Sequence, residues 1–242
     1  LEKKYVNQAL DTTWLSSNGV NTKIFQKKFS NYIGNKFSLA VQSGTSALHL
    51  ALKSLNVTSN DYVIIPNFTC VSNISAASQC NAKIILVDVE RETLGMDFLI
   101  LKEILKKYRP KVLQLVHVYG FPAKDTLKII KICKKKKIKV IEDTSESLGA
   151  TINGKKVGTF GDINVTSIRS EKMIGVGEGA VISTNNKTLS DKISLIASRY
   201  SPFRKSNDPY WKKYFVSGEG YNYLMPHLLG SVARGQIERF KV

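Results

Sequence analysis

Short apolar runs alternate with longer amphipathic stretches along most of this chain. The apolar runs at 37–41, 62–66, 83–89, 112–118, 137–142, 163–168 and 180–184 predict β-strands. Several of them, such as Val63-Ile-Ile-Pro66 and Lys83-Ile-Ile-Leu-Val-Asp-Val89, lack the polar alternation of a half-exposed strand. Unbroken runs of this kind suit strands covered on both faces. Between them, 46–55, 71–79, 99–107 and 126–136 have helical spacing. This alternation predicts an α/β domain with a largely parallel central sheet. Residues 201–217, rich in aromatics and lysine, read as a loop. No internal repeat, low-complexity segment or long linker interrupts the pattern.

In such sheets ligands bind beyond the carboxyl ends of the strands. That directs attention to the residues just after Val41, Pro66, Val118, Glu142 and Ile168. After the first strand comes Gln42-Ser-Gly-Thr-Ser46, opening a helix whose Leu48, Ala51, Leu52 and Leu55 share one face. A helix start built from glycine and small hydroxylated residues can bind phosphate through its unpaired N–H groups. The same residues also suit an ordinary capped helix start. Neither this segment nor Gly175-Val-Gly-Glu-Gly179 matches the P-loop or the dinucleotide fingerprint.

Two carboxylates, Glu142 and Asp143, stand together at the end of the fifth strand, with Glu146 one turn on. Carboxylates at that place call for a cationic partner, and a protonated ring nitrogen would serve. Asp143 as a helix N-cap is the alternative reading. Further on, a strand ends at Ser167 and Lys172 follows. A lysine at the mouth of a sheet could form a Schiff base, or could be one more surface lysine. A phosphate cup, then an aspartate, then a serine and a lysine is the order a pyridoxal phosphate (PLP) site needs.

Composition narrows the field. At 242 residues, the chain is one large domain or two small ones and can bury a core without staples. No apolar run reaches the roughly 18 residues of a membrane span. The start, LEKKYVNQAL, lacks the apolar stretch of a signal peptide. Three scattered cysteines argue against a disulfide framework and for a reducing, cytoplasmic setting. No cysteine or histidine cluster has zinc spacing, so no metal is expected. The net charge of +17 invites an anionic partner: nucleic acid, a membrane surface or a phosphorylated small molecule. However, 29 of the 36 basic residues are lysines spread along the chain, and the run at 134–137 reads as a solvated helix end. No helix-turn-helix, zinc-finger or aromatic RNA-binding signature accompanies them. Neither nucleic acid nor a membrane is therefore expected as the partner, and the charge alone decides little more.

Taken in order, these blocks resemble the DegT/DnrJ family of PLP-dependent nucleotide-sugar aminotransferases. The resemblance rests on Trp14-Leu-Ser-Ser-Asn-Gly19, Ser43-Gly-Thr-Ser-Ala-Leu-His-Leu-Ala-Leu52 and Asp61-Tyr-Val-Ile-Ile-Pro-Asn-Phe-Thr69. It continues through Ala82-Lys-Ile-Ile-Leu-Val-Asp88, Val116-His-Val-Tyr-Gly120 and Val140-Ile-Glu-Asp143. It ends with Gly154-Lys-Lys-Val-Gly-Thr-Phe-Gly-Asp162 and Gly220-Tyr-Asn-Tyr-Leu-Met225. It implies an aspartate-aminotransferase-like, fold type I large domain over 26–242, preceded by an N-terminal segment at 1–25. Lys172 would be the Schiff-base lysine and proton shuttle, and Asp143 would pair with the pyridine nitrogen. Gly44, Thr45 and Ser167 would hold the phosphate, with Ser46 adding a backbone N–H. Asn222 would reach the phosphate of a neighbouring subunit in a homodimer. Glu146 would lie near the cofactor's 3′ oxygen, where glutamate resembles 4-aminotransferases of the perosamine-synthase type. The implied reaction moves an amino group from glutamate to a nucleotide-linked 4-keto-6-deoxy sugar, for cell-surface polysaccharides such as O-antigen.

Three features depart from the family pattern. Cys70 stands where an aromatic usually stacks on the pyridine ring, and Leu224 replaces a basic residue. The chain also stops at Val242, where members continue into a smaller C-terminal domain, so that domain is expected to be missing. The alternative these features motivate is an inactive member with a binding or regulatory role. Members with histidine at the lysine position act as dehydratases; Lys172 implies transamination.

Overall fold

The computed structural model describes residues 1–201 and 209–240. It opens with helices α1 (Glu2–Asp11) and α2 (Val20–Ile33), then strand β1 (Phe37–Val41) and helix α3 (Gly44–Ser54). There follow β2 (Tyr62–Pro66), α4 (Val71–Gln79), β3 (Lys83–Val87), α5 (Phe98–Lys107), β4 (Val112–Val116), α6 (Thr126–Lys136) and β5 (Lys139–Asp143). The short strands β6 (Thr151–Ile152) and β7 (Lys155–Lys156) form a hairpin. Last come β8 (Ile163–Ser167), β9 (Ala180–Thr184), α7 (Lys187–Ala197), a 3-10 turn at Tyr210–Tyr214 and α8 (His227–Arg239).

Among the described residues, the seven long strands form one sheet in the order β1-β9-β8-β5-β4-β2-β3. Neighbours are parallel except where β9 pairs with β8 and β1. The expected α/β architecture, a mostly parallel mixed sheet flanked by helices, is therefore present. Pleating sends alternate residues to opposite faces. Val63, Ile65 and Ile141 pack under α3, α4 and α7, whereas Ile64, Leu113 and Val140 pack against α5 and α6. Helices on both faces explain the unbroken apolar run of β2 and the full burial of β4, whereas the edge strand β3 leaves Leu86 half-exposed. Among the described residues, no helix is long and apolar enough to cross a membrane.

Some boundaries differ from the expected ones, for local reasons. The helix expected at 46–55 starts at Gly44, because the Ser43 hydroxyl accepts the Ser46 N–H and caps it. Asp97 caps α5 in the same way, starting it at Phe98. The strand expected at 83–89 stops at Val87, and the one at 112–118 stops at Val116. The strand expected at 137–142 runs instead from Lys139 to Asp143, because Lys137 ends α6 in the left-handed conformation (φ 58°). Of the loop expected at 201–217, residues 202–208 lie outside the described residues, and Tyr210–Tyr214 form the 3-10 turn.

Helices α1, α2, α7 and α8 were not anticipated. In α2, Phe25, Phe29 and Ile33 make a buried stripe at four-residue spacing on an otherwise polar segment. In α8, Gly230 and Gly235 break the helical composition, yet both sit at close approaches. A Cβ on Gly230 would overlap Thr22 of α2, and one on Gly235 would lie 2.8 Å from the Glu2 nitrogen of α1. Glycine here trades helix propensity for tight packing of three helices.

The pleat also separates the two adjacent carboxylates. Glu142 follows Val140 to the α5–α6 face and is fully buried. It accepts the N–H groups of Gly158 (2.8 Å), Phe160 (2.7 Å) and Gly161 (2.6 Å). His117 Nδ1 accepts the Ala123 N–H, which leaves the ring proton on Nε2, donated to Glu142 at 3.2 Å. Glu142 is thus a staple for the 158–161 loop. An unmet buried donor costs about 1–3 kcal/mol, so Glu142→Ala should lower the unfolding free energy by about 3 kcal/mol or more. Urea denaturation measures this; a loss below about 1 kcal/mol, the worth of one ordinary hydrogen bond, would contradict the staple.

Candidate active site

The parallel strands bring their carboxyl ends to one edge, where the α3 N-terminus also lies. A cavity of about 510 Å³ opens there. Its walls include Gly44, Thr45, Asp143, Glu146, Ser167 and Lys172. Six of the eight residues singled out from the sequence therefore share one cavity. Ser46 and Asn222 are not among its lining residues.

The α3 end of the cavity is rich in unpaired donors. Among the described residues, the Gly44 and Thr45 N–H groups have no hydrogen-bond partner, as the first turn of a helix dictates. No acidic side chain offsets the helix dipole in that turn. A Cβ at Gly44 would make only ordinary contact with Ser167, 3.4 Å from its Cβ and 3.6 Å from its Oγ. The end of β8 therefore lies beside the start of α3. Thr45 Oγ1 donates to Ser72 Oγ at 3.1 Å. The Ser46 N–H is committed to Ser43 Oγ at 3.1 Å, and the two hydroxyls are 2.8 Å apart. An anion could take the Ser46 N–H only if that cap yields.

Asp143 follows Ile141 to the face opposite Glu142 and is 4% exposed. Oδ1 accepts the Ser145 N–H and Oδ2 accepts from Asn73 Nδ2, both at 3.0 Å. Residues 144–149 form turns rather than a helix, so Asp143 caps nothing. Among the described residues no cation pairs with it. A buried carboxylate with two neutral donors and no cation is poised to receive one.

Lys172 lies in the turn after β8, and its ammonium donates to Glu146 Oε1. Its side chain is mostly buried, whereas that of Glu146 is more exposed. At the mouth, Arg169 Nε donates to Glu178 Oε1 at 3.1 Å, and its other arm is 3.4 Å from Glu171. Phe68 and Tyr119 also line the cavity, edge to face with ring centroids 6.1 Å apart. Cys70 is on the same wall and exposed.

Asn222 is exposed, in an isolated bridge with Ser198 outside its own chain's cavity. Leu224 bridges Val41 at the end of β1. Sequence reasoning missed Asn73, Arg169 and Phe68. Arg169 and Phe68 lay within segments already singled out; Asn73 carried no signal beyond its position after β2.

The DegT/DnrJ/EryC1/StrS aminotransferase family matches residues 1–242. This chain belongs to that family. It is 35% identical over 238 residues to a GDP-perosamine synthase of Escherichia coli O157:H7, covering 98% of this chain and 63% of that protein. It is 33% identical to the GDP-perosamine synthase of Vibrio cholerae, covering 98% and 62%. The chain thus spans just under two thirds of the length of the curated relatives it matches. The solved aminotransferase from Psychrobacter cryohalolentis superposes with a TM-score of 0.91 at 26% identity, covering 98% of this chain and 61% of that one. A GDP-4-keto-6-deoxymannose-3-dehydratase with a trapped PLP-glutamate geminal diamine gives 0.90 at 26% identity, covering 99% and 65%.

The three thiols differ sharply in setting, which makes cavity access measurable. Burial pushes the Cys80 thiol up to about 11 and the Cys133 thiol up to about 12. Thiolate is the reactive form. At pH 8, Ellman's reagent should modify one thiol of the native protein, Cys70, and three after unfolding. Rapid modification of two or more thiols in the native state would contradict this arrangement.

Proposed function

We propose that this chain is the cofactor-binding part of a PLP-dependent nucleotide-sugar aminotransferase. The observation that carries the proposal is the single cavity shared by an unpaired helix N-terminus, a buried carboxylate lacking a cation and a lysine amine. These are the three groups PLP requires, and no other described feature of the chain explains them together. Gly44, Thr45 and Ser167 would hold the phosphate. Asp143 would take the protonated ring nitrogen, Glu146 would lie near the 3′ oxygen, and Lys172 would hold the aldehyde end. Residues 26–242 would be the large domain and 1–25 an N-terminal segment.

PLP, when bound, supplies an electron sink that stabilises negative charge on the reacting carbon. The chain's own residues do the remaining work. Asp143, buried at the end of β5, would pair with the protonated ring nitrogen. Lys172 is the group placed to take and return a proton at the reacting carbon. Glu146 holds the Lys172 ammonium when that proton is on the amine. The fold alone does not choose the reaction, since both an aminotransferase and a dehydratase superpose on it. Lysine rather than histidine at 172 favours transamination.

The substrate we infer is a nucleotide-linked 4-keto-6-deoxy sugar, with glutamate as amino donor, in cell-surface polysaccharide synthesis such as O-antigen. The GDP-perosamine synthases at 33–35% identity support that class, as does Glu146. A charge of +17 suits a diphosphate ligand. We also infer a cytoplasmic homodimer. The position of Asn222, exposed and outside its own cavity, supports its reaching a neighbour's phosphate. Cys70 on the cavity wall favours the second reading, a binding protein without catalysis; the Lys172–Glu146 pair in the same cavity favours the enzyme.

Borohydride reduction of the PLP-loaded protein should fix the cofactor to the peptide containing Lys172, seen by mass spectrometry. Lys172→Ala should abolish that labelling and glutamate-dependent amination of a keto-sugar nucleotide. Labelling that survives in Lys172→Ala, or that falls on another lysine, would overturn the assignment.

A further inference from the structure

One polar side chain behind the cavity wall has no part in the roles above. Asn73 of α4 is fully buried beneath the Asp143 carboxylate. Its Nδ2 donates to Asp143 Oδ2 and to Thr69 Oγ1, both at 3.0 Å, which uses both amide hydrogens. Its backbone N–H donates to the Cys70 carbonyl at 3.1 Å, and its carbonyl accepts from Gln114 Nε2 at 3.3 Å. Asn73 Oδ1, by contrast, has no partner among the described residues.

That imbalance is informative. Asparagine is a poor helix former, and leaving a buried carbonyl unmatched is costly. Packing alone would be better met by an apolar residue of similar size. The amide is also fixed in direction, because a half-turn about its last bond would aim Oδ1 at the Asp143 carboxylate. What the residue gains is one rigid, neutral donor on Asp143. With Ser145 N–H on the other oxygen, each carboxylate oxygen receives one neutral donor. Such donors favour the ionised form without supplying the cation. A lysine or arginine at 73 would have neutralised the group and competed with any ligand.

We propose that Asn73 is a positioning residue, which fixes the direction in which the Asp143 carboxylate faces the cofactor's ring nitrogen. This rests on the PLP reading above. Its test compares PLP with 1-deaza-PLP, in which a C–H replaces the ring nitrogen, by equilibrium binding to the wild-type chain and to Asn73→Ala and Asn73→Leu. Asn73→Leu keeps the branched shape and the number of side-chain heavy atoms, so it leaves no cavity and guards against a variant that fails to fold. The wild-type should prefer PLP by about tenfold or more, the worth of one hydrogen bond to a charged group. Both variants should cut that preference to about threefold or less, while 1-deaza-PLP affinity stays near wild-type. A merely structural role would weaken both ligands equally and leave the ratio unchanged, which would overturn the proposal. So would a wild-type chain that binds both ligands equally well. A wild-type chain that binds neither would overturn the PLP reading itself, and this inference with it.

Discussion

Asp143 ends a central strand as a carboxylate with almost no solvent and no described cation beside it. Two neutral hydrogen bonds hold it but do not neutralise it. In a low-dielectric interior an uncompensated charge of this kind is tolerated only where something on the protein's behalf repays it. Every other feature of the cavity makes sense as the surroundings of that charge. The α3 N-terminus offers unpaired N–H groups to a phosphate, and Lys172 brings an amine held by Glu146. A PLP ring spanning them would set its nitrogen against that buried carboxylate.

The sheet makes this arrangement possible. Because β1, β5 and β8 share a direction, Gly44, Asp143 and Ser167 arrive at one edge although about 120 residues separate the first from the last. Because pleating alternates, two consecutive acids serve opposite faces. Glu142 ties down the 158–161 loop through three N–H groups and His117, while Asp143 faces the cavity. A shift of β5 by one residue would exchange the two environments, so the apolar register that seats Val140 and Ile141 also decides which acid faces the cavity.

Much of this was legible in the sequence, and the reasons can be traced. All seven long strands could be read because helices cover both faces and leave apolar runs such as Val63-Ile-Ile-Pro66. Helix α6 could be read end to end from its apolar spacing and closing lysines. Helix α2 could not, since its Phe25, Phe29 and Ile33 stripe is narrow and set among polar residues. Helix α8 was hidden by glycines whose purpose lies in α1 and α2. At the site, the order of glycine-hydroxyl turn, aspartate, serine and lysine was visible along the chain. Asn73 was not, because an asparagine in a helix reads as a surface residue until α4 is packed against the end of β5. Which of Glu142 and Asp143 faces the cavity was likewise a matter of pleat, not of composition.

The central claim is that the Asp143 carboxylate pairs with the ring nitrogen of bound PLP and so keeps that nitrogen protonated. Nitrogen-15 NMR of the chain loaded with ring-labelled PLP tests it most directly. The account predicts a pyridinium signal at neutral pH in the wild-type chain and a neutral pyridine signal in Asp143→Asn. A neutral pyridine signal in the wild-type chain, or a pyridinium that persists in Asp143→Asn, would contradict it.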